Sequence, residues 1–352
     1  MNPFAYDRPA TVDAALRAIA ANADAGGATA NQNEIRMVAG GTNLLDLMKE
    51  GVTLAPHLVD INRLPLDGIE ETPGGGLLLG ATARNADTAW HPLVEQRYPL
   101  LSAAILAGAS PQLRNMASNG GNLLQRTRCW YFYDVATPCN KRAPGSGCAA
   151  NGGITRQHAI LGASEQCIAT HPSDMCVALA ALEAVVHVQS VRGRRAIPFA
   201  EFHRLPGDRP DVDTTLAPDE LITGIELPDA ARFARHSAYL KLRERLSYAF
   251  ALVSVAAALD IGADGTITAA RIALGGVAHK PWRLPEAERL LEGARPDDAV
   301  FAGVADALLQ GAVGRGANDF KIPLAHNAIV RALHVASQGT VTNQGTRQGE
   351  RE

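Results

Sequence analysis

"IRMVAGGTNLLDLMKEG", residues 35–51, runs an apolar stretch, a glycine pair and a helical pattern together without a break. The first four residues read as a short buried strand, "AGGT" as a tight turn, and "LLDLMKEG" as a helix closed by glycine. A strand that turns through glycine into a helix is the unit of an α/β fold. It also presents backbone N–H groups and a helix N-terminus to any anion lying over the turn, a phosphate above all. The spacing is not GxGxxG, so a Rossmann dinucleotide fingerprint is not supported. Taken alone, a Gly-Gly turn between strand and helix is more often an ordinary connection.

The neighbouring segments repeat the pattern. "TVDAALRAIAANA" (11–23) is an amphipathic helix capped by Thr11, with Asp13 in its first turn. "PHLVDI" (56–61) is another short strand, and "GLLLGATARNADTAW" (76–90) a strand entering a helix. "LLSAAILAGASPQLRNMASNGGNLL" (100–124) is a helix followed by a second loop, in which Ser110, Ser118, Asn119 and Asn122 are short polar groups. Two such loops in one α/β domain suggest a pyrophosphate held from both sides. "THPSDM" (170–175) sets Asp174 at a helix N-terminus, where an acid is also an ordinary cap. "EAVVHVQSVRGRRAIPFAEF" (183–202) is a hairpin about "RGR". From about residue 236 the texture changes to strands joined at "GADG" (262–265), then to helices around 284–293, 299–312 and 323–337. A domain boundary is expected near 230, and the polar tail from 338 to 352 is expected to be disordered.

Composition narrows the function. The 352 residues are 47 % hydrophobic and 20 % charged, and 33 Lys+Arg against 36 Asp+Glu leave a net charge of −3. No basic stripe is present to displace counterions from a nucleic acid. No apolar run approaches the roughly 20 residues of a membrane span. "MNPFAYDRPATVDAAL" lacks the basic and apolar regions of a signal peptide, and reads as the start of a protein folded in the cytoplasm. No Ser-His-Asp or HExxH arrangement occurs.

The cysteines carry the remaining chemistry. "TRCWYFYDVATPCNKRAPGSGC" (127–148) holds Cys129, Cys139 and Cys148; Cys167 and Cys176 follow. A chain this long buries a sufficient core without disulfides, so clustered cysteines in a reducing compartment point to metal or redox chemistry. Spacing alone leaves a metal site and an unpaired surface loop open, because no tight CxxC pair exists. "RAPGSGC" can fold back sharply and turn N–H groups toward a thiolate, a lever on iron–sulfur potentials. Lys141 and Arg142 would favour an anionic cluster, and Trp130 to Tyr133 could shield a cofactor or simply pack on a neighbour. Cys176 lies in the apolar helical stretch "SDMCVALAALEAVV" and is expected to be a small core hydrophobe.

The order "VAGGTNLL", "RNMASNGGN", "THPSD", "YLKLRER" resembles the FAD-binding subunits of the molybdenum hydroxylases, the xanthine dehydrogenase family, over residues 3 to 337. The cysteine insert directly after "GGNLLQ" is similar to that of the periplasmic aldehyde oxidoreductase branch, and more loosely to 4-hydroxybenzoyl-CoA reductase. There it binds a [4Fe–4S] cluster beside the flavin. The resemblance implies a two-lobed α/β FAD domain of the vanillyl-alcohol-oxidase-like type over 1–230, with the insert at about 126–168. It implies a small antiparallel sheet with helices over 231–337. It places the FAD pyrophosphate on Met37, Val38, Ala39, Gly40, Gly41, Thr42, Asn43 and Leu44, and on Gly108 with Ser118, Asn119, Gly120, Gly121 and Asn122. Asp174 falls where the family holds sugar or ribityl hydroxyls, Ile222 under the ring system and Lys241 near the flavin. Cys129, Cys139, Cys148 and Cys167 become the cluster ligands. The implied role is electron relay from the [2Fe–2S] small subunit of a heterotrimer to FAD and an outside acceptor, after a molybdenum-bearing large subunit has oxidised an aldehyde. It further implies export to the periplasm beside a signal-bearing partner. Two other readings stay open: a self-sufficient FAD oxidase, and a non-redox scaffold with FAD or zinc.

Overall fold

The computed structural model describes residues 1–21 and 35–341. Three sheets organise them. The first is parallel, from β1 (Ala5–Asp7), β2 (Ile35–Val38) and β3 (His57–Asp60), in the order β1-β3-β2. The helix Val12–Ile19 covers it, capped by the Thr11 hydroxyl, which accepts from Ala14 N at 3.2 Å. Its Ala15, Leu16 and Ile19 are buried against Val59 and Ile61, the stripe that period 3.6 dictates.

The second sheet is antiparallel, with strands β4 (Ile69–Glu71), β5 (Leu77–Gly80), β6 (Val185–Ser190), β7 (Gly193–Pro198) and β8 (Leu221–Leu227) in the order β4-β5-β8-β6-β7. Edge strand β7 exposes Arg194 and Arg195, charges that discourage edge pairing. The helices Pro99–Ala107 and Asp174–Ala181 pack on this sheet. They are apolar nearly all round, as wholly buried helices must be.

The third sheet, β9 (Ser237–Leu242), β10 (Val253–Ile261) and β11 (Ile267–Gly275), is antiparallel with β10 central. Alternation along β10 divides its residues between two cores. Val253, Val255, Ala257 and Leu259 face the helices Asp298–Leu308 and Lys321–Ser337, while Ala256 and Ala258 face the helices of the second sheet. The small side chains let helix Asp174–Ala181 approach closely: a Cβ on Gly275 would lie 2.5 Å from Val177.

Of the polar tail expected to be disordered from 338, residues 342–352 lie outside the described residues. Its start is held. Thr340 is buried; its hydroxyl accepts from Ser237 N at 2.7 Å and donates to the Ala234 carbonyl at 2.8 Å. One threonine thus satisfies two backbone groups at the entry to β9, which hydropathy could not reveal.

Candidate cofactor sites

The two glycine loops meet. Gly40 lies so close to the second loop that a Cβ there would stand 1.9 Å from the Met116 carbonyl oxygen. Gly41 has φ +73°, the left-handed region open to glycine. A staple holds the pair: Arg84 donates to Met116 O at 2.7 Å and to Asn62 Oδ1 at 2.9 Å, and Asn62 donates to Ala39 O at 2.9 Å. Ser118 caps the short helix Asn119–Leu123 by accepting from Gly121 N. Behind it, Asn119 is fully buried and bonded to Asn85, Thr88 and the Gly80 carbonyl.

Beside these loops runs a cleft of about 800 Å³, toward the upper end of the range for cofactor sites. Met37 to Leu44, Gly108, Ser118, Gly121, Asn122 and Asp174 line it. The other four sequence candidates stand behind the wall. Asn119 and Gly120 support the second loop, and Ile222, 3 % exposed on β8, packs 3.6 Å from where a Gly120 Cβ would be. Lys241 is buried and donates to Asp174 Oδ2 at 2.7 Å and to Ala107 O at 3.0 Å. Tyr239 donates to the other Asp174 oxygen at 2.7 Å, and burial followed by the neighbouring Asp174 charge pushes its phenol well above its usual value. Asp174 therefore reaches the cleft as a carboxylate pinned from behind, with remaining lone pairs for ligand hydroxyls. The glycine cradle, the volume and the pinned acceptor fit an extended diphosphate cofactor such as FAD.

Pattern reading missed Arg84 and Asn62, because a staple across 22 residues has no local period. It also missed Ala109, a non-glycine residue at φ +50° on the cleft wall. Strained backbone of this kind persists only where surroundings hold it.

The insert has little regular structure, only the helix Trp130–Tyr133 and the isolated bridges Cys139↔Cys148 and Ser164↔Cys167. Cys129, Cys139, Cys148 and Cys167 all border one small internal void. Burial pushes the Cys129 thiol up to about 12 and that of Cys167 to about 11. Such thiols are poor thiolates until a cation is present to compensate them. Gly145 and Gly147, both at positive φ, fold "RAPGSGC" back so that Cys148 faces Cys139. The N–H groups that reach sulfur come from elsewhere: Tyr131 and Phe132 at Cys129, and Ala169 at Cys167. His158 Nε2 also sits 3.1 Å from Cys129 Sγ. The insert's cations serve as ties: Arg142 donates to the Tyr131 and Phe132 carbonyls, and Lys141 to Pro210 O and Asp213. Of the aromatic run, Phe132 is buried while Trp130 is 59 % exposed. Four converging sulfurs, two of them deeply buried, fit a metal centre.

Residues 2–230 match the family of FAD binding domains in molybdopterin dehydrogenase, and residues 237–336 the CO dehydrogenase flavoprotein C-terminal domain. The chain belongs to the FAD-binding subunits of the molybdenum hydroxylases. It is 51 % identical over 300 residues to the aldehyde oxidoreductase FAD-binding subunit PaoB of Escherichia coli (strain K12), covering 85 % of this chain and 90 % of that one. It is 29 % identical over 310 residues to the carbon monoxide dehydrogenase medium chain of Hydrogenophaga pseudoflava, covering 86 % and 90 %. The solved carbon monoxide dehydrogenase from Hydrogenophaga pseudoflava superposes with a TM-score of 0.72 at 26 % identity, over 95 % of this chain and 97 % of that one. The chain is thus the FAD-binding medium subunit of a molybdenum hydroxylase, and the mixed α/β fold with its small C-terminal sheet is this family's.

Proposed function

We propose that the chain is the flavin and iron–sulfur subunit of a molybdenum-dependent aldehyde oxidoreductase, a heterotrimer with a molybdenum-cofactor large subunit and a [2Fe–2S] small subunit. The 51 % identity to the FAD-binding subunit of an aldehyde oxidoreductase carries this reading, since it extends over most of both chains. When bound, FAD supplies electron exchange between the small partner's clusters and an external acceptor, after an aldehyde has been oxidised in the large partner. This chain's residues position it. Met37 to Leu44 with Ser118, Gly121 and Asn122 form the phosphate cradle, and Asp174, fixed by Lys241 and Tyr239, offers acceptor lone pairs to its hydroxyls.

Cys129, Cys139, Cys148 and Cys167 hold a [4Fe–4S] cluster in this reading. Four cysteines are also the ligand set of a structural zinc site, and metal analysis of the purified protein distinguishes the two. The chain acts in the periplasm in this reading, crossing the membrane already folded beside a signal-bearing partner, as the resemblance to the periplasmic aldehyde oxidoreductase branch implies. The test is an absorption spectrum of the purified protein before and after dithionite, with iron analysis. Bleaching of flavin and cluster bands with about four irons per chain is expected; a colourless or zinc-loaded protein would favour a scaffold. Turnover of aldehydes by the chain without partners would favour a self-sufficient oxidase. Following this chain in fractionated cells with and without the partner's signal peptide tests the export model, which fails if the distribution does not change.

A further inference from the structure

A second group of ligand-type side chains lies at the back of the flavin cleft, whose wall His203 joins, and neither the phosphate loops nor the insert's four cysteines include it. His171, Cys176 and His203 each place one ligand atom within 4.8 Å of the other two, the one such group among the described residues. They come from three segments: the connector leaving the insert, the helix Asp174–Ala181, and the residue following the helix Phe199–Phe202. Sequence spacing of 5 and 27 residues gives no recognisable motif, and Cys176 reads as a core hydrophobe until the fold brings the imidazoles to it.

The two imidazoles are left with bare nitrogens. His203 is 3 % exposed and its Nε2 donates to the Leu123 carbonyl at 2.9 Å. A neutral ring that donates from Nε2 carries its lone pair on Nδ1, and that Nδ1 is buried with no partner. His171 Nε2 is likewise buried and unpartnered. A buried nitrogen without a partner is costly, and here two stand beside one sulfur. Backbone-carbonyl anchoring of the opposite ring nitrogen is the arrangement that orients metal-bound histidines. The rings of Phe199 and Phe202 stand edge-on to His203 at 5.4 and 4.9 Å and help exclude water. Burial also keeps both imidazoles in the neutral, ligating form, His203 at about 4.

The geometry points to a structural site for one divalent cation of borderline softness, zinc or a close relative, held by His171, Cys176 and His203. Small side-chain rotations bring three atoms within 4.8 Å to the roughly 3.3–3.8 Å separations around a tetrahedral ion. Binding releases the Cys176 thiol proton to solvent; no electron moves. The ion would tie the exit of the insert to the second FAD loop through the His203–Leu123 bond, whatever metal the insert itself carries.

The test uses the full chain with its FAD and iron in place, incubated with micromolar zinc, freed of excess and analysed for zinc, iron and flavin together. One zinc per chain is expected above the iron, with a zinc absorption-edge spectrum fitted by one sulfur and two nitrogens. Cys176→Ala and His203→Gln should each lose that zinc, with iron and FAD occupancy unchanged. The Ala variant keeps the core helix intact, so a folding failure of the Gln variant would not obscure the result. The proposal is overturned if wild-type protein takes up no zinc, if Cys176→Ala retains it, or if the spectrum shows only sulfur neighbours.

Discussion

The flavin cleft and the cysteine insert adjoin, yet they are held by different means. The cleft is made of backbone. Its glycines let two loops touch, its staple of Arg84 and Asn62 is bonded throughout, and its buried Asp174 carboxylate already has Lys241 and Tyr239. The insert has no sheet and a very small core, in which Phe132 and Cys139 meet Leu47 and Val52. Its polar side chains are tied to carbonyls, but its sulfurs face one another across a void. One region is held by backbone contacts and paired polar groups and the other by few contacts of its own, so losses in the two should be separable.

The largest effect is expected in the insert. Replacing Cys129, Cys139, Cys148 or Cys167 by Ser should remove or destabilise the whole metal centre, because a cluster lacking one thiolate is no longer fully ligated. FAD occupancy should persist, since the loops do not depend on the cluster. Iron and flavin analysis of the four variants checks this. Full iron retention in all four would remove the cluster assignment, and parallel loss of flavin would end the claim that the two regions are independent.

Next in size is the buried pair behind the cleft. Asp174→Ala leaves Lys241 buried without its carboxylate, and breaking such a pair by one partner costs about 3–5 kcal/mol. Denaturant melts of the apo-protein should show the loss before any flavin is added. If apo stability is unchanged and only flavin binding weakens, Asp174 is a ligand group and not a structural one. A smaller change is expected at the loop junction. Gly40→Ala must push Met116 aside, an overpacking strain of about 1–3 kcal/mol. Flavin affinity should fall with it, and the same substitution at Gly303, in the helix Asp298–Leu308, where a Cβ meets nothing within 4 Å, should leave flavin binding unchanged.

The contrast also explains what could be read from sequence. The strand–turn–helix at 35–51, the hairpin at 183–202 and the capped helix after Thr11 follow from local period and turn chemistry, and each is present. The glycine loop at 39–43 was legible as a turn because it joins an apolar strand pattern to a helical one. The reason for Gly40 was not, since the atom it must avoid belongs to Met116 of the other loop. Lys241 could be placed near the flavin only by resemblance; that it reaches the site through Asp174 depends on β9 packing against a helix more than 60 residues earlier. Lys141 and Arg142 were legible as charges near sulfur, but their hydrogen bonds to carbonyls were not, because nothing in a cation's neighbours along the chain states what it will be folded against.

The most gradual effect, at most about 1.4 kcal/mol per pH unit, separates the two regions by their buried lysines. Lys241 of the cleft has a carboxylate partner, whereas Lys321, fully buried beneath the end of the insert, has only the carbonyls of His158 and Gly276. Burial without a counter-charge pulls the Lys321 amine down to about 7, while in the unfolded chain it stays near 10.4. Between these values the unfolded state binds more protons, so stability attributable to this group rises with pH from about 7 to about 10 and is flat outside that window. The slope cannot exceed one proton, about 1.4 kcal/mol per pH unit. Buried thiols with raised values oppose it, because the unfolded chain gives up their protons first. The measurement is therefore a difference: stability against pH for wild type and Lys321→Met. The wild-type curve should rise relative to the variant by up to one proton between pH 7 and 10. Parallel curves would mean that Lys321 keeps its charge in the folded state, and the asymmetry between the two buried lysines would be lost.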